Sequence, residues 1–308
     1  VASKGCGERV SGVPPHVALP RVRFPGSAYL GAGLEAFRIR SDPNASNFEV
    51  PNLQLPSQMT DRLRERRNLL SRFDGLRSDI DQSGVMESLD TYNRKAAELL
   101  TSGKVRQAFD LGRETPEVRN RFGRHAVGQR CLLARRLVEA GVRLVTIDFP
   151  CVPGQKAFSW DDHAGAFHLD YAQRERLPQL DQGLSALIND IHDRALDQDV
   201  LVIACGEFGR TPRVTHARRN FSDQIGLGRD HWPHAFSALI SGGGLQMGQV
   251  VGRTNSKAEY PTHDPVTPQD LLATIYRHLG IDPGQNFNNF AGRPVPVLDH
   301  GKPIAAIT

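Results

Sequence analysis

The run Val200-Leu201-Val202-Ile203-Ala204-Cys205, closed by Gly206, constrains this chain more than any other stretch. An unbroken apolar run of strand length, ended by glycine, reads as a strand buried on both faces of a parallel sheet. A second such signal, Val142-Arg143-Leu144-Val145-Thr146-Ile147-Asp148-Phe149, lies upstream. Between them, from about Tyr171 to Leu196, runs an amphipathic helix with Leu177, Leu180, Leu184, Leu187, Ile188 and Ile191 on one face. Pro178 either kinks that helix or marks its true start. Strand, helix and strand read as a βαβ unit, so the two strands are expected to lie parallel in one sheet, as neighbours or next neighbours. The fold class expected is therefore α/β, a mostly parallel sheet flanked by helices.

The other segments fit around this unit. Residues 1–56 are rich in Gly and Pro, with Val17-Ala18-Leu19 a short strand candidate ending at Pro20. Helix candidates follow at Ser57–Phe73, Val85–Leu100 and Lys104–Leu111, making 57–123 a mainly helical insertion in one domain over 1–308. Arg124–Ala140 is a strong helix, with Val127, Cys131, Ala134, Leu137 and Val138 at helical spacing and Gly141 as its stop. Ala235–Ile240 is a third strand closed by Gly242-Gly243-Gly244, and Gln249-Val250-Val251 a candidate fourth. Thr267-Pro268-Gln269-Asp270 is a helix start with Thr as cap and an acid at N3. The tail from Asp282 reads as loop.

Bulk properties exclude several classes. A length of 308 residues, 39% apolar and 23% charged, suits an ordinary globular protein. The net charge of +4 is slight, and no dense basic run with interleaved aromatics argues for nucleic acid. The arginines between Arg106 and Arg136 read as a solvated helix face. The four cysteines form no CxxC pair, so a disulfide framework or thiolate metal site is not expected. Cys205 is placed in the core strand and Cys131 in an apolar helix. No run reaches the roughly 18 apolar residues of a membrane helix. The chain begins at Val1 rather than Met, so an upstream segment is expected.

Chemistry gathers just beyond the two strands, where open α/β sheets place their ligands. Trp160-Asp161-Asp162-His163 follows the first; Gly206-Glu207-Phe208-Gly209-Arg210-Thr211-Pro212 follows the second. The loop ending in Gly228-Arg229-Asp230-His231-Trp232-Pro233 starts from the same edge. Carboxylates and imidazoles converging from separate loops suit a divalent metal. The bland alternative is that the Trp-Asp-Asp-His stretch is a turn and that Glu207 pairs with Arg210 or caps a helix. Ser241–Gly244 lacks the ending of a phosphate loop, and no Gly-x-Ser-x-Gly supplies a serine nucleophile.

These motifs, with Pro265-Val266-Thr267-Pro268-Gln269-Asp270-Leu271 and the helix end Arg135–Val142, resemble the bacterial domain of unknown function 1501 family over nearly the whole chain. The resemblance implies an alkaline phosphatase-like or sulfatase-like fold, an extracytoplasmic location, and a hydrolase of phosphate or sulfate esters, incomplete in this chain, using zinc, manganese or calcium. It implies Asp161, His163, Glu207 and His231 as metal ligands. Arg210 is expected to hold the small anionic ester substrate, since its planar fork suits such anions. Phe208 stands where that superfamily pairs a His with the acid. No counterpart of the superfamily's first metal-binding Asp or its nucleophile lies within residues 1–60, so both are expected upstream. The rival expectation is an extracytoplasmic binding or scaffold protein of the same fold without catalysis.

Overall fold

A computed structural model describes residues 1–10, 12–22, 26–50, 103–149, 160–164, 169–218 and 225–308. It is a mixed α/β structure with one parallel three-stranded sheet, helices and several small antiparallel ladders. The helix candidates Ser57–Phe73 and Val85–Leu100 lie outside the described residues. The described part of the expected 57–123 insertion is helical, with α1 at Gly103–Phe109 and α2 at Pro116–Phe122.

The chain divides into two compact units, the first comprising Val1–Thr115, Leu133–Asp148 and Leu279–Val297. Its sheet is centred on β1 (His16–Leu19), flanked by β2 (Phe37–Arg38) and β3 (Leu144–Ile147), both parallel to it. Val17, Ala18 and Leu19 are fully buried. The four-residue strand that the sequence shows least is thus the sheet's centre, while β3 is only half-buried. Helix α1 buries Val105, Ala108 and Phe109 and stops where Asp110 turns to extended backbone and accepts a bond from the Gly112 N–H.

Helix α3 (Ala126–Glu139) ends as its sequence foretells. Gly141 takes φ 108°, its N–H donating to Val138 and that of Val142 to Leu137. This is the paired closure that a C-terminal glycine permits. The arginines are a correction: Arg130 and Arg135 are buried, at 5% and 2% exposure, rather than on a solvated face. Arg135 lies 2.9 Å from Glu114 and 2.7 Å from Glu139. Carboxylates within reach are what makes burying a guanidinium tolerable. The tail from Asp282 is also not all loop, since Asn286–Asn288 and Pro294–Pro296 form an antiparallel hairpin.

The second unit comprises Pro116–Leu132, Phe149–His278 and Leu298–Thr308. Its long helix α4 spans Leu177–Asp193 and packs on α2, with Arg121 paired to the buried Asp190. Pro178 marks the start of α4; ahead of it lie a helical turn at Leu169–Tyr171 and a π-helical turn at Ala172–Arg176. A side chain on Gly183 would meet the Gly128 Cα at 3.2 Å, so glycines let these two helical segments approach closely.

The βαβ expectation is overturned. β4 (Leu201–Cys205) does not pair with β3, which belongs to the sheet of the first unit. It pairs antiparallel with β9 (Ala238–Gly242), Ile203 opposite Ile240. Cys205 is exposed rather than in the core. Between β4 and β9 run two further antiparallel ladders. β5 (Gly209–Arg210) pairs with β8 (His231–Trp232), and β6 (Thr215–Arg218) with β7 (Ile225–Gly228). An apolar run predicts burial but not which strand will lie beside it. Here the described part of the connection from β4 to β9 forms two antiparallel ladders rather than a crossover helix, and strands joined in that way lie antiparallel. The candidate strand Gln249–Val251 is not formed; the nearby ladder joins Arg253–Thr254 to Pro261–His263.

Helix α5 (Pro268–Leu279) opens on a reciprocal cap. The Asp270 N–H donates to Thr267 Oγ1 at 3.2 Å and the Thr267 N–H to Asp270 Oδ2 at 2.8 Å. Thr267→Ala is expected to cost about 1 kcal/mol in denaturant unfolding. A loss under roughly 0.3 kcal/mol would show that the Thr267 hydroxyl contributes little to the cap. No helix among the described residues is long and apolar enough to cross a membrane.

Candidate metal centre

The site is assembled within the second unit from three stretches. Residues 160–164 lie over the end of β7 and turn tightly at Asp162, where the His163 N–H donates to the Asp161 carbonyl at 3.0 Å. There the Arg229 N–H donates to the Asp162 carbonyl at 2.8 Å. β5 and β8 form the second and third stretches, with Arg210 directly opposite His231. The Thr211 N–H donates to the Asp230 carbonyl at 2.9 Å and prolongs this ladder. The Trp232 indole N–H donates to the Glu259 carbonyl at 2.7 Å, which fixes β8 from its other face.

Asp161, His163 and His231 meet in front of that ladder. Asp161 Oδ1 lies 2.9 Å from His163 Nε2 and 3.1 Å from His231 Nε2, and the two imidazole nitrogens are 3.1 Å apart. The other nitrogen of His163, Nδ1, is 3.1 Å from Asp230 Oδ1. A proton on Nδ1, donated to Asp230, would leave the Nε2 lone pair for an ion shared with Asp161 and His231. Three lone-pair atoms turned on one another in a small triangle suit a shared cation. A zinc bond to such atoms is about 2.0–2.2 Å long, so one ion can touch all three. His163 is 30% and His231 52% exposed, so an ion reaches them from solvent.

The surroundings hold both acids of the site ionised. Burial pulls the Asp161 carboxyl up, but hydrogen bonds from Arg210 and His231 and the charges of His163 and Arg210 outweigh it and hold it at about 2. Asp230 is held below the usual carboxylate range by its hydrogen bonds with His163 and Thr215. Both acids are therefore ionised at neutral pH.

Two expected site residues are placed otherwise. Glu207 is exposed and stands outside the group formed by Asp161, His163 and His231. Its charge acts on Cys205, whose thiol burial first and then Glu207 push up. Arg210 is at the site, but its fork is turned on the protein. Nη2 donates to the Trp160 carbonyl at 2.7 Å and to Asp161 Oδ1 at 2.9 Å. Nη1 lies 3.2 Å from the Arg229 carbonyl and 3.3 Å from His163 Nε2. With these donors engaged, Arg210 braces the ligand loop rather than offering its fork to an anion. Phe208 stacks on His231 at 4.5 Å between ring centres, closing one side of that imidazole.

Asp230 is the residue whose role the sequence left unassigned. It stood beside His231 at the expected edge, and an acid next to a ligating histidine was the available signal. That it serves His163 rather than its neighbour follows only from the fold.

Fold and site together define an α/β protein with a two-histidine, one-carboxylate candidate metal centre. The chain belongs to the family described as protein of unknown function DUF1501, whose model matches residues 1–308. No curated protein and no solved structure matches the chain.

Proposed function

We propose that this chain is a metal-dependent hydrolase of phosphate or sulfate esters of the alkaline phosphatase-like kind. Asp161, His163 and His231 hold a divalent ion, and Asp230 orients His163. The observation that carries the reading is the Asp161–His163–His231 triangle backed by the Asp230 carboxylate. A ligating imidazole that gives its other N–H to a carboxylate is the ordinary support of a protein metal site. Two imidazoles among the donors favour zinc or manganese over calcium, which prefers oxygen. An ion held there would supply Lewis acidity toward an ester oxygen. Arg210 keeps Asp161 ionised and in place.

Calorimetric titration tests the first step. The chain is expected to bind one zinc ion, with affinity falling by more than about 100-fold in His231→Ala and by about 10–100-fold in Asp230→Asn. No zinc binding at neutral pH would overturn the reading. Zinc-dependent turnover of a chromogenic aryl phosphate or aryl sulfate, lost in His231→Ala, would establish the hydrolase. A second reading, a non-catalytic binding or scaffold protein, draws on the engaged fork of Arg210 and on Phe208 against His231. Absence of zinc binding favours it, whereas absent turnover alone does not, since residues 1–60 hold no counterpart of the superfamily's nucleophile.

A further inference from the structure

The stretch 160–164 alternates in burial: Asp162 and Ala164 are buried, while Asp161 and His163 are half-exposed. Asp162 is the tip of a tight turn, the His163 N–H donating to the Asp161 carbonyl at 3.0 Å. The two ligands thus share the outward side, and Asp162 lies on the inward one. The group that receives the inward side is Arg176. Its side chain is 0% exposed, it is ion-paired with Asp162, and its guanidinium lies 5.2 Å over the Trp160 ring. The opposite neighbour of that ring is Phe149, at 4.9 Å.

Arg176 is a poor device for stability alone. Its Nε and Nη1 are buried without a hydrogen-bond partner among the described residues. Replacing a buried ion pair by apolar groups is often neutral or stabilising, so such a pair is weak support for a fold. It is also delivered in an unusual way, as the last residue of the π-helical turn Ala172–Arg176. Wide turns of this kind are rare within helices and frequently accompany functional sites.

We infer that Arg176 is a positioning residue for the metal centre. By gripping Trp160 and Asp162 from inside, it sets the phase of the loop so that Asp161 and His163 both face His231. With the grip lost, the backbone can turn about its own axis. A rotation that moves Asp162 outward moves both ligands away from the triangle.

The experiment uses the whole chain and the double variant Asp162→Asn/Arg176→Met, which removes both charges together so that neither is left buried alone. The metal arm rests on the function proposed above; the exchange arm does not. Expected for the double variant are a thermal midpoint close to that of the parent, zinc affinity lower by about 10–100-fold, and faster hydrogen exchange of the Arg229 N–H. That N–H donates to the Asp162 carbonyl and reports the loop whether or not zinc is present. A purely structural role would move the midpoint and leave affinity and exchange as in the parent, which overturns the inference. Should the double variant not fold, Arg176→Lys is read the same way, since it keeps the charge but loses the planar stack on Trp160. Parent-like affinity and exchange in Arg176→Lys would then overturn it. If the parent itself binds no zinc, the metal reading falls and the Arg229 exchange rate alone decides the role of Arg176.

Discussion

Gly228→Ala is expected to remove zinc binding and to destabilise the chain, although it adds a single methyl group. Gly228 ends β7, and the loop carrying two proposed ligands lies directly on it. A Cβ there would sit 1.9 Å from the Ala164 N and 2.3 Å from the His163 carbonyl carbon. Both are backbone atoms, so no side-chain rotation relieves the clash. The loop must lift, and the atoms that lift belong to His163. Overpacking of this kind costs about 1–3 kcal/mol, occasionally more. The effect on the site is larger, because a shift of the loop by even an ångström opens a triangle whose edges are 2.9–3.1 Å. Calorimetry with zinc and thermal unfolding check it together. Gly103→Ala is the control: among the described residues, no atom beyond its own helix and chain neighbours lies within 4 Å of its would-be Cβ. In that helix the added methyl should be neutral or stabilising by up to about 1 kcal/mol. Parent-like zinc affinity in Gly228→Ala would show that the loop does not rest on β7 as described.

The second large effect is on stability against pH, and it belongs to His16 in the central strand β1. Burial, helped by the positive amino terminus, pushes this imidazole down to about 4 from the ordinary 6.5. Its Nε2 lies 3.0 Å from Thr146 Oγ1 of β3, so the neutral ring has a partner in the sheet. The folded chain holds His16 neutral where the unfolded chain would already have bound a proton. Its contribution is therefore fully present above pH 6.5, declines as pH falls, and is gone below about pH 4. The loss over that window is on the order of 2–3 kcal/mol. Asp161 acts in a different window: depressed from 3.8 to about 2, it contributes above pH 3.8 and loses that contribution as pH falls through 2. Unfolding by denaturant at pH 7, 5.5 and 4.5 should show a steep decline in the parent. The decline should be shallower in His16→Gln, which does not titrate. Equal slopes would show that His16 is not the group responsible.

Local rules carried far along this chain because their causes are local. The stop of α3 at Gly141 needs only a residue that tolerates φ 108°. The start of α5 needs only Thr267 and Asp270 three residues apart. Cys131 could be read as buried because it recurs at helical spacing with Val127, Ala134 and Leu137. Asp161, His163 and His231 were legible as a group by residue type, although the shared parallel sheet edge that suggested them is not formed. Glu207 shared that logic but lies outside the group, since adjacency to a strand end does not decide where a side chain turns.

The amino-acid sequence by itself determined the ends of α3 and α5, the apolar strands β1, β3 and β4, and the residue types from which a metal site could be made. Tertiary structure alone decided which strands pair. β1 and β3 are more than a hundred residues apart, and β4 joins β9 rather than β3. Pairing depends on how the whole chain closes, and no window of sequence contains that information. The same holds for the three supports of the site. Asp230 meets His163 across 67 residues and Arg210 meets Asp161 across 49. Arg176 reaches Asp162 only through a π-helical turn. Each is a polar contact whose strength depends on distance and burial, and both are properties of the folded chain.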